Sequence, residues 1–389
     1  MVNDIWGHET IPGRKICMLM ISHACNLNCT YCYEAYKSNK FMSLDLAKEL
    51  ILKECLEVQK SSIFHELEID FMGGEPMTNF ELIKDLVEWT EKNPLPVPWI
   101  FFVTSNGTLF DEKKKAWFKK YRHLIVVGVS YDGTPEMQRI NRDTKHESVD
   151  MEFFHKTWPL QPFHMTISQE TLPNLADGIL EIQRKGYALE ASLAQGVNWN
   201  NDDAEIYYQQ LTKLSTAYLE DPSLCPINLL SLAVNVQASK RVSEQRQKRW
   251  CGSGTHMITY DVDGKAYGCH LFTSVVLGDK AREVDSIEWS CPEATEDSYC
   301  KECVLKLTCP TCAGFNYRFR GDISQRDHNR CRMAFVEKFM ACQFQIKVLL
   351  NRRSKLEKND AIHAKGAIAA YEILKKFTFD NLKSPFISD

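Results

Sequence analysis

The chain of 389 residues lacks most of the features that would assign it to a simple class. It has no basic excess: 47 lysines and arginines stand against 51 acidic residues, a formal net charge of −4, and no charge run is long enough to be a polyionic tail. That balance gives no sign of a nucleic-acid partner. The N-terminal stretch has no basic region leading into a clean apolar core, and its one apolar run, ICMLMI at 16–21, is too short to span a bilayer. The sequence therefore reads as cytoplasmic, with no membrane partner. Internal repeats and low-complexity tracts are also missing. What remains is an ordinary globular composition, 44% hydrophobic and 25% charged, enough to bury a real core.

Cysteine is the exception. There are 15, an odd number, and most fall in tight clusters. With no secretion signal to support a disulfide framework, clustered thiolates in a reducing compartment point to metal.

The first 220 or so residues alternate strands and helices. Strand-like runs lie at 15–22, 67–74, 99–107, 124–133, 163–168 and 189–196, with amphipathic helical stretches at 43–58, 78–92, 172–186 and 202–219. Thr78 and Glu81 stand in capping-box spacing ahead of the second helix. Strands apolar throughout imply a parallel sheet with helices outside. Periodicity alone leaves open an open sheet or a curved partial barrel. The polar groups that look chemical follow strand ends, where parallel α/β architectures build their sites. Past 250 the pattern changes to short strands, turns and more cysteines; from 332 to 375 it returns to helix.

HACNLNCTYCYE, residues 23–34, sets Cys25, Cys29 and Cys32 at C-x3-C-x2-C spacing after the first strand. Three thiolates suit a 4Fe–4S cubane with one open iron. The alternative is a zinc site completed by His23 or a distant residue. Cys17, Cys55 and Cys342 fall on apolar faces and read as packed core thiols.

This motif, with Tyr31 and Tyr33 around it, resembles the radical S-adenosylmethionine (radical SAM) superfamily. The resemblance implies an α/β fold: a partial (β/α)6 TIM-like barrel, then a small cysteine-rich SPASM domain and C-terminal helices. The implied segments are 1–14, 15–220 for the barrel, 221–250 as a linker, 251–340 for SPASM, and a tail at 341–389. It implies that the open iron binds S-adenosylmethionine, that reduction releases a 5′-deoxyadenosyl radical, and that this radical abstracts a substrate hydrogen. GGEP at Gly73, Gly74, Glu75 and Pro76 matches the second-strand motif, in which glycine backbone admits the methionine amino group and Glu75 accepts from it. By the same resemblance Ser105 and Asn106 reach the ribose, Ser130 and Arg142 hold the carboxylate end, Asp132 faces the substrate, and Tyr31 and Thr166 line the pocket. Gln138 stands where relatives carry His and receives no role.

The second cysteine field resembles the SPASM extension, which holds two auxiliary 4Fe–4S clusters, three clusters in all. The resemblance assigns Cys300, Cys303, Cys309 and Cys331 to the distal cluster and Cys251, Cys269 and Cys312 to the nearer one. Two residues, not the usual three, separate Cys309 from Cys312. The nearer cluster's usual upstream cysteine is missing; Cys225 or Cys291 completes it, or an iron stays open. His270 follows Cys269, where sulfatase maturases carry aspartate, and is a candidate base on the substrate side. The expectation is a peptide maturase that installs a thioether or carbon–carbon crosslink in a ribosomally made precursor. The alternatives are a sulfatase-maturing enzyme and a non-catalytic zinc or iron–sulfur module. Partners would be the precursor peptide, an electron donor such as flavodoxin or ferredoxin, and a separate leader-binding protein, since 24 residues before Cys25 leave no room for a fused one.

Overall fold

The structure, a computed structural model, describes residues 13–144, 148–231, 251–287, 289, 300, 303–305, 312–351 and 358–376. It divides into two compact units: 8–165 with 250–291, and 1–7 with 166–249 and 292–389.

In the first unit, strands and helices alternate: β1 (Arg14–Ser22), α1 (Leu44–Lys60), β2 (Glu66–Gly73), α2 (Phe80–Lys92), β3 (Trp99–Ser105), α3 (Glu112–Tyr121), β4 (Ile125–Val129), α4 (Pro135–Arg142), α5 (Met151–Thr157), and β5 (Phe163–Ile167), which carries the chain into the second unit. β1 to β4 pair in parallel, and an isolated parallel bridge from Ser130 to His164 continues β4 toward β5. All six strands expected from the pattern are present, with α6 (Leu175–Arg184), β6 (Leu189–Leu193) and α7 (Asn201–Glu220) following β5. The fold is the mixed α/β, partial-barrel class.

The sheet does not stop at β1. The downstream hairpin, β7 (Met257–Tyr260) and β8 (Ala266–Tyr267), adds to its other edge, with β7 parallel to β1 from Ile16–Met257 to Leu19–Tyr260. β1 thus becomes an interior strand, and Cys17 to Ser22 are all buried. β2, by contrast, buries alternate residues: Leu67, Ile69 and Phe71 are inside while Glu66 and Glu68 grip Arg14 at 2.7 and 2.6 Å. Phe71 and Phe101 stack with centroids 5.3 Å apart; burying such a ring fully contributes about 1.5–3 kcal/mol. Cys17, Cys55 and Cys342 are fully buried.

Helix starts follow side-chain chemistry. Ser43, Asp111, Thr134 and Asp150 each accept a backbone N–H in the first turn of α1, α3, α4 and α5. The capping box expected at Thr78 is not formed. A short 3-10 turn over Pro76–Asn79 intervenes, and Thr78 Oγ1 donates instead to the Glu75 carbonyl. Among the described residues, a capping box forms at α7, between Asn200 and Asp203.

In the second unit, α9 (Ala313–Arg320), α10 (Cys331–Asn351) and α11 (Lys358–Leu374) join α6 and α7, preceded in the chain by α8 (Ser274–Leu277) of the first unit. Tyr207 of α7 donates to Glu337 of α10 at 3.1 Å. Among the described residues no helix is long and apolar enough to cross a membrane.

Candidate active site

Cys25, Cys29 and Cys32 lie on the loop that leaves the C-terminal end of β1, each half-buried. The loop is held by the strand ends around it. Gly74 N–H donates to the Ser22 carbonyl at 2.9 Å and Glu75 N–H to that of Ala24 at 2.8 Å. The two chains run so close that a Cβ on Gly73 would stand 2.0 Å from the Ser22 oxygen, and one on Gly74 2.4 Å from the Ala24 oxygen. The glycines are therefore required by the contact between the β2 exit and the cysteine loop.

Glu75 is buried and accepts from Ser105 Oγ at 2.7 Å, Met77 N at 3.1 Å and Asn106 N at 2.8 Å. Burial pushes its carboxyl up, against those three donors. The residues expected to contact different parts of a cofactor thus bond first to one another, fixing the β2 and β3 exits as one rigid edge. Asn26, which no pattern singled out, extends that edge into the cysteine loop by accepting from Asn106 Nδ2 at 3.0 Å and donating to Thr108 Oγ1 at 2.8 Å.

At the β4 exit, Asp132 is fully buried. Its carboxylate accepts from Arg142 Nε (2.8 Å) and Nη2 (3.2 Å), Tyr31 Oη (2.6 Å) and Asn141 Nδ2 (3.2 Å). Gln138 Oε1 accepts the Asp132 N–H at 2.9 Å, so the side chain without a sequence-assigned role closes this turn. Burial works against the Arg142 charge, but Asp132 more than offsets it and the guanidinium is held charged. Tyr31 stacks under Arg142 at 5.6 Å. Ser130 N–H donates to the Ser105 carbonyl at 3.0 Å, joining this turn to the β3 exit. Thr166 lies on β5, half-buried, in the second unit.

Burial raises the Cys25 thiol, and raises Cys29 to about 11 although Arg142 pulls it down. Proton loss there calls for a metal or cation. Among the described residues no three His, Cys, Asp or Glu side chains converge as a single-ion site. His23 is not poised beside the cysteines; its buried ring bonds Asp261 at 2.5 Å. Burial pushes the Asp261 carboxyl up, but the bonds from His23 and Ser274 prevail and hold it near 2, at about 2.

The β7–β8 hairpin brings the Cys251 and Cys269 segments to one end, where Gly254 N–H meets the Gly268 carbonyl at 2.9 Å. Cys269 is buried, and His270 beside it shares a 3.2 Å hydrogen bond with Tyr33 of the cysteine loop. In the second unit, Cys303 N–H donates to the Cys300 carbonyl at 3.1 Å, Cys312 precedes α9 and Cys331 opens α10; Cys303 packs against the apolar cluster that includes Ala334 and Phe335 of α10. Cys225 is exposed. Cys291 and Cys309 lie outside the described residues.

The geometry defines a partial α/β barrel that presents a three-cysteine loop at the C-terminal ends of its strands. Residues 19–151, the segment that runs from within β1 through β4 and carries the three-cysteine loop, match the Radical SAM superfamily model. It is 24% identical over 207 residues to the radical SAM cyclopropyl synthase TigE of Paramaledivibacter caminithermalis, a match covering 49% of this chain and 43% of that protein. It is 29% identical over 125 residues to a cysteine-type anaerobic sulfatase-maturating enzyme of Clostridium novyi, covering 30% and 32%. The matches thus span less than half the length of these curated relatives. Among solved structures, anSMEcpe with bound AdoMet and Cp18Cys peptide superposes with TM-score 0.62 at 17% identity, over 89% of this chain and 100% of that one. Streptococcus suis SuiB bound to precursor peptide SuiA gives 0.55 at 14% identity, over 81% and 75%. These structural likenesses are of fold.

Proposed function

We propose that the protein is a radical SAM/SPASM enzyme that modifies a ribosomally made precursor peptide, installing a thioether or carbon–carbon crosslink. The observation that carries this reading is the three-cysteine loop buttressed by the β2, β3 and β4 exits, with Cys269 and His270 brought against it by the hairpin. Support also comes from the fold shared with peptide-bound anSMEcpe and SuiB.

In this reading Cys25, Cys29 and Cys32 hold the first 4Fe–4S cluster, and the second cysteine field holds two more: Cys251, Cys269 and Cys312 the nearer, Cys300, Cys303, Cys309 and Cys331 the distal. The domain division at 220, 250 and 340 goes with it. When bound, the first cluster and S-adenosylmethionine supply a 5′-deoxyadenosyl radical able to take a hydrogen atom from the peptide. The chain's own residues hold and orient. Gly73 to Pro76, Ser105 and Asn106 form a polar edge for the amino group and ribose; Ser130, Arg142 and Thr166 serve the far end. Asp132 keeps Arg142 and Tyr31 in place and faces the substrate side. His270, oriented by Tyr33, is placed to accept a proton from the peptide. An electron donor such as flavodoxin or ferredoxin, and a separate leader-binding protein, complete the set of partners.

A sulfatase-maturing activity is the second reading, favoured by the likeness to sulfatase-maturating enzymes. Co-expression with a short peptide encoded beside the gene, followed by mass spectrometry, separates the two. A crosslink removes two hydrogen atoms per bond from that peptide. An unmodified peptide, together with conversion of a sulfatase-derived cysteine peptide to formylglycine, would overturn the first reading in favour of the second.

A further inference from the structure

Lys37 stands in the cysteine loop, five residues after Cys32, and no spacing pattern singled it out. Its half-buried ammonium donates to the Leu27 carbonyl at 3.1 Å. The N–H of the same Leu27 donates to Cys25 Sγ at 3.4 Å. The Leu27 backbone thus bridges the ammonium and the Cys25 thiol. Arg142, a second cation near Cys29, is neutralised by Asp132. Glu34 and Glu75 are the acidic groups in the field, and neither is within ion-pair distance of Lys37. A half-exposed lysine bonded to a carbonyl of the cysteine loop, one residue away from a thiol, is placed for the charge of whatever the sulfurs hold.

We infer that Lys37 is a positioning residue that tunes the first cluster, favouring its reduced form by placing a positive charge beside the thiolate cage. The inference rests on the cluster reading proposed above. Adding an electron makes the cage more negative, so an adjacent cation stabilises the reduced state more than the oxidised one. The ammonium is half-solvated, which screens the effect. Removing the charge should shift the reduction equilibrium about three- to tenfold toward the oxidised form, ~30–60 mV for one electron.

The test is an EPR-monitored redox titration of the anaerobically reconstituted full chain, following the signal that S-adenosylmethionine perturbs. Lys37→Met should bind the same iron as wild type and titrate three- to tenfold lower, while Lys37→Arg, which keeps the charge, should stay within twofold. A wild-type potential in Lys37→Met overturns the inference, as does an equal shift in Lys37→Arg. Loss of the cluster's iron in Lys37→Met overturns it too, since the residue would then hold the cluster and not tune it. If wild type shows no S-adenosylmethionine-sensitive cluster, the functional reading itself fails, an outcome separate from all of these.

Discussion

Replacing Asp132 by Asn should destabilise the metal-free protein by about 3–5 kcal/mol, the usual cost of leaving one half of a buried ion pair without its partner. Asp132 is fully buried and the Arg142 side chain is 7% exposed, so water cannot take over for the lost charge. Four hydrogen bonds converge on the carboxylate, two from Arg142 and one each from Tyr31 and Asn141. An asparagine amide offers one oxygen and turns a donor toward the guanidinium, so at least one Arg142 N–H is left unsatisfied, at about 1–3 kcal/mol. The loss is a large fraction of the total stability of a typical protein, about 5–15 kcal/mol. Anaerobic urea unfolding followed by circular dichroism should show an earlier midpoint with an unchanged slope. In the double variant Asp132→Asn/Arg142→Met the buried charge is gone, and stability should recover by more than 1 kcal/mol over Asp132→Asn alone. A single-variant loss under about 0.5 kcal/mol, the range of surface pairs, would refute the reasoning, as would simple additivity in the double variant.

Other outcomes follow from the same geometry. The Asp261 carboxyl is held at about 2, below its ordinary range near 4, so its contribution is present above pH ~4 and is lost as pH falls through about 2. Asp261→Asn should therefore flatten acid unfolding between those values by about 2 kcal/mol, read from urea midpoints across that window. Gly74→Ala should cost about 1–3 kcal/mol and lower iron uptake, because its Cβ would meet the Ala24 carbonyl; thermal unfolding and iron assay check it. Cys225→Ser should leave total iron unchanged, since Cys225 is exposed and its segment is anchored through its carbonyl by Gln183; a loss of iron would make Cys225 the fourth thiolate of the nearer cluster.

The strands of the barrel were legible because each is an apolar run between turn signals, and the first cysteine loop because three thiols in eight residues have few structural uses. The edge position of the hairpin was not legible. MITY at 257–260 is too short to announce a parallel partner, and its pairing with β1 depends on a chain separation of about 240 residues, which no local pattern encodes. Within the site, residue types at Glu75, Ser105, Asn106, Asp132 and Arg142 could be read from motif, but their mutual bonding could not. It comes from three strand exits meeting, a tertiary fact. Gln138, Asn26 and Lys37 escaped for a related reason: a single polar residue in a loop has no period, and its role appears only once its partner is in place.

In the proposed function, the Cys25, Cys29 and Cys32 loop holds a cluster that cleaves S-adenosylmethionine. The direct measurement is 5′-deoxyadenosine formed by anaerobically reconstituted, dithionite-reduced protein, beside the Cys25→Ala/Cys29→Ala/Cys32→Ala variant. Wild type should bind on the order of twelve irons and release 5′-deoxyadenosine, and the variant should lose about four irons and all of the product. Wild type that is fully loaded with iron yet makes no 5′-deoxyadenosine, or that takes zinc to full occupancy in place of iron, would contradict it.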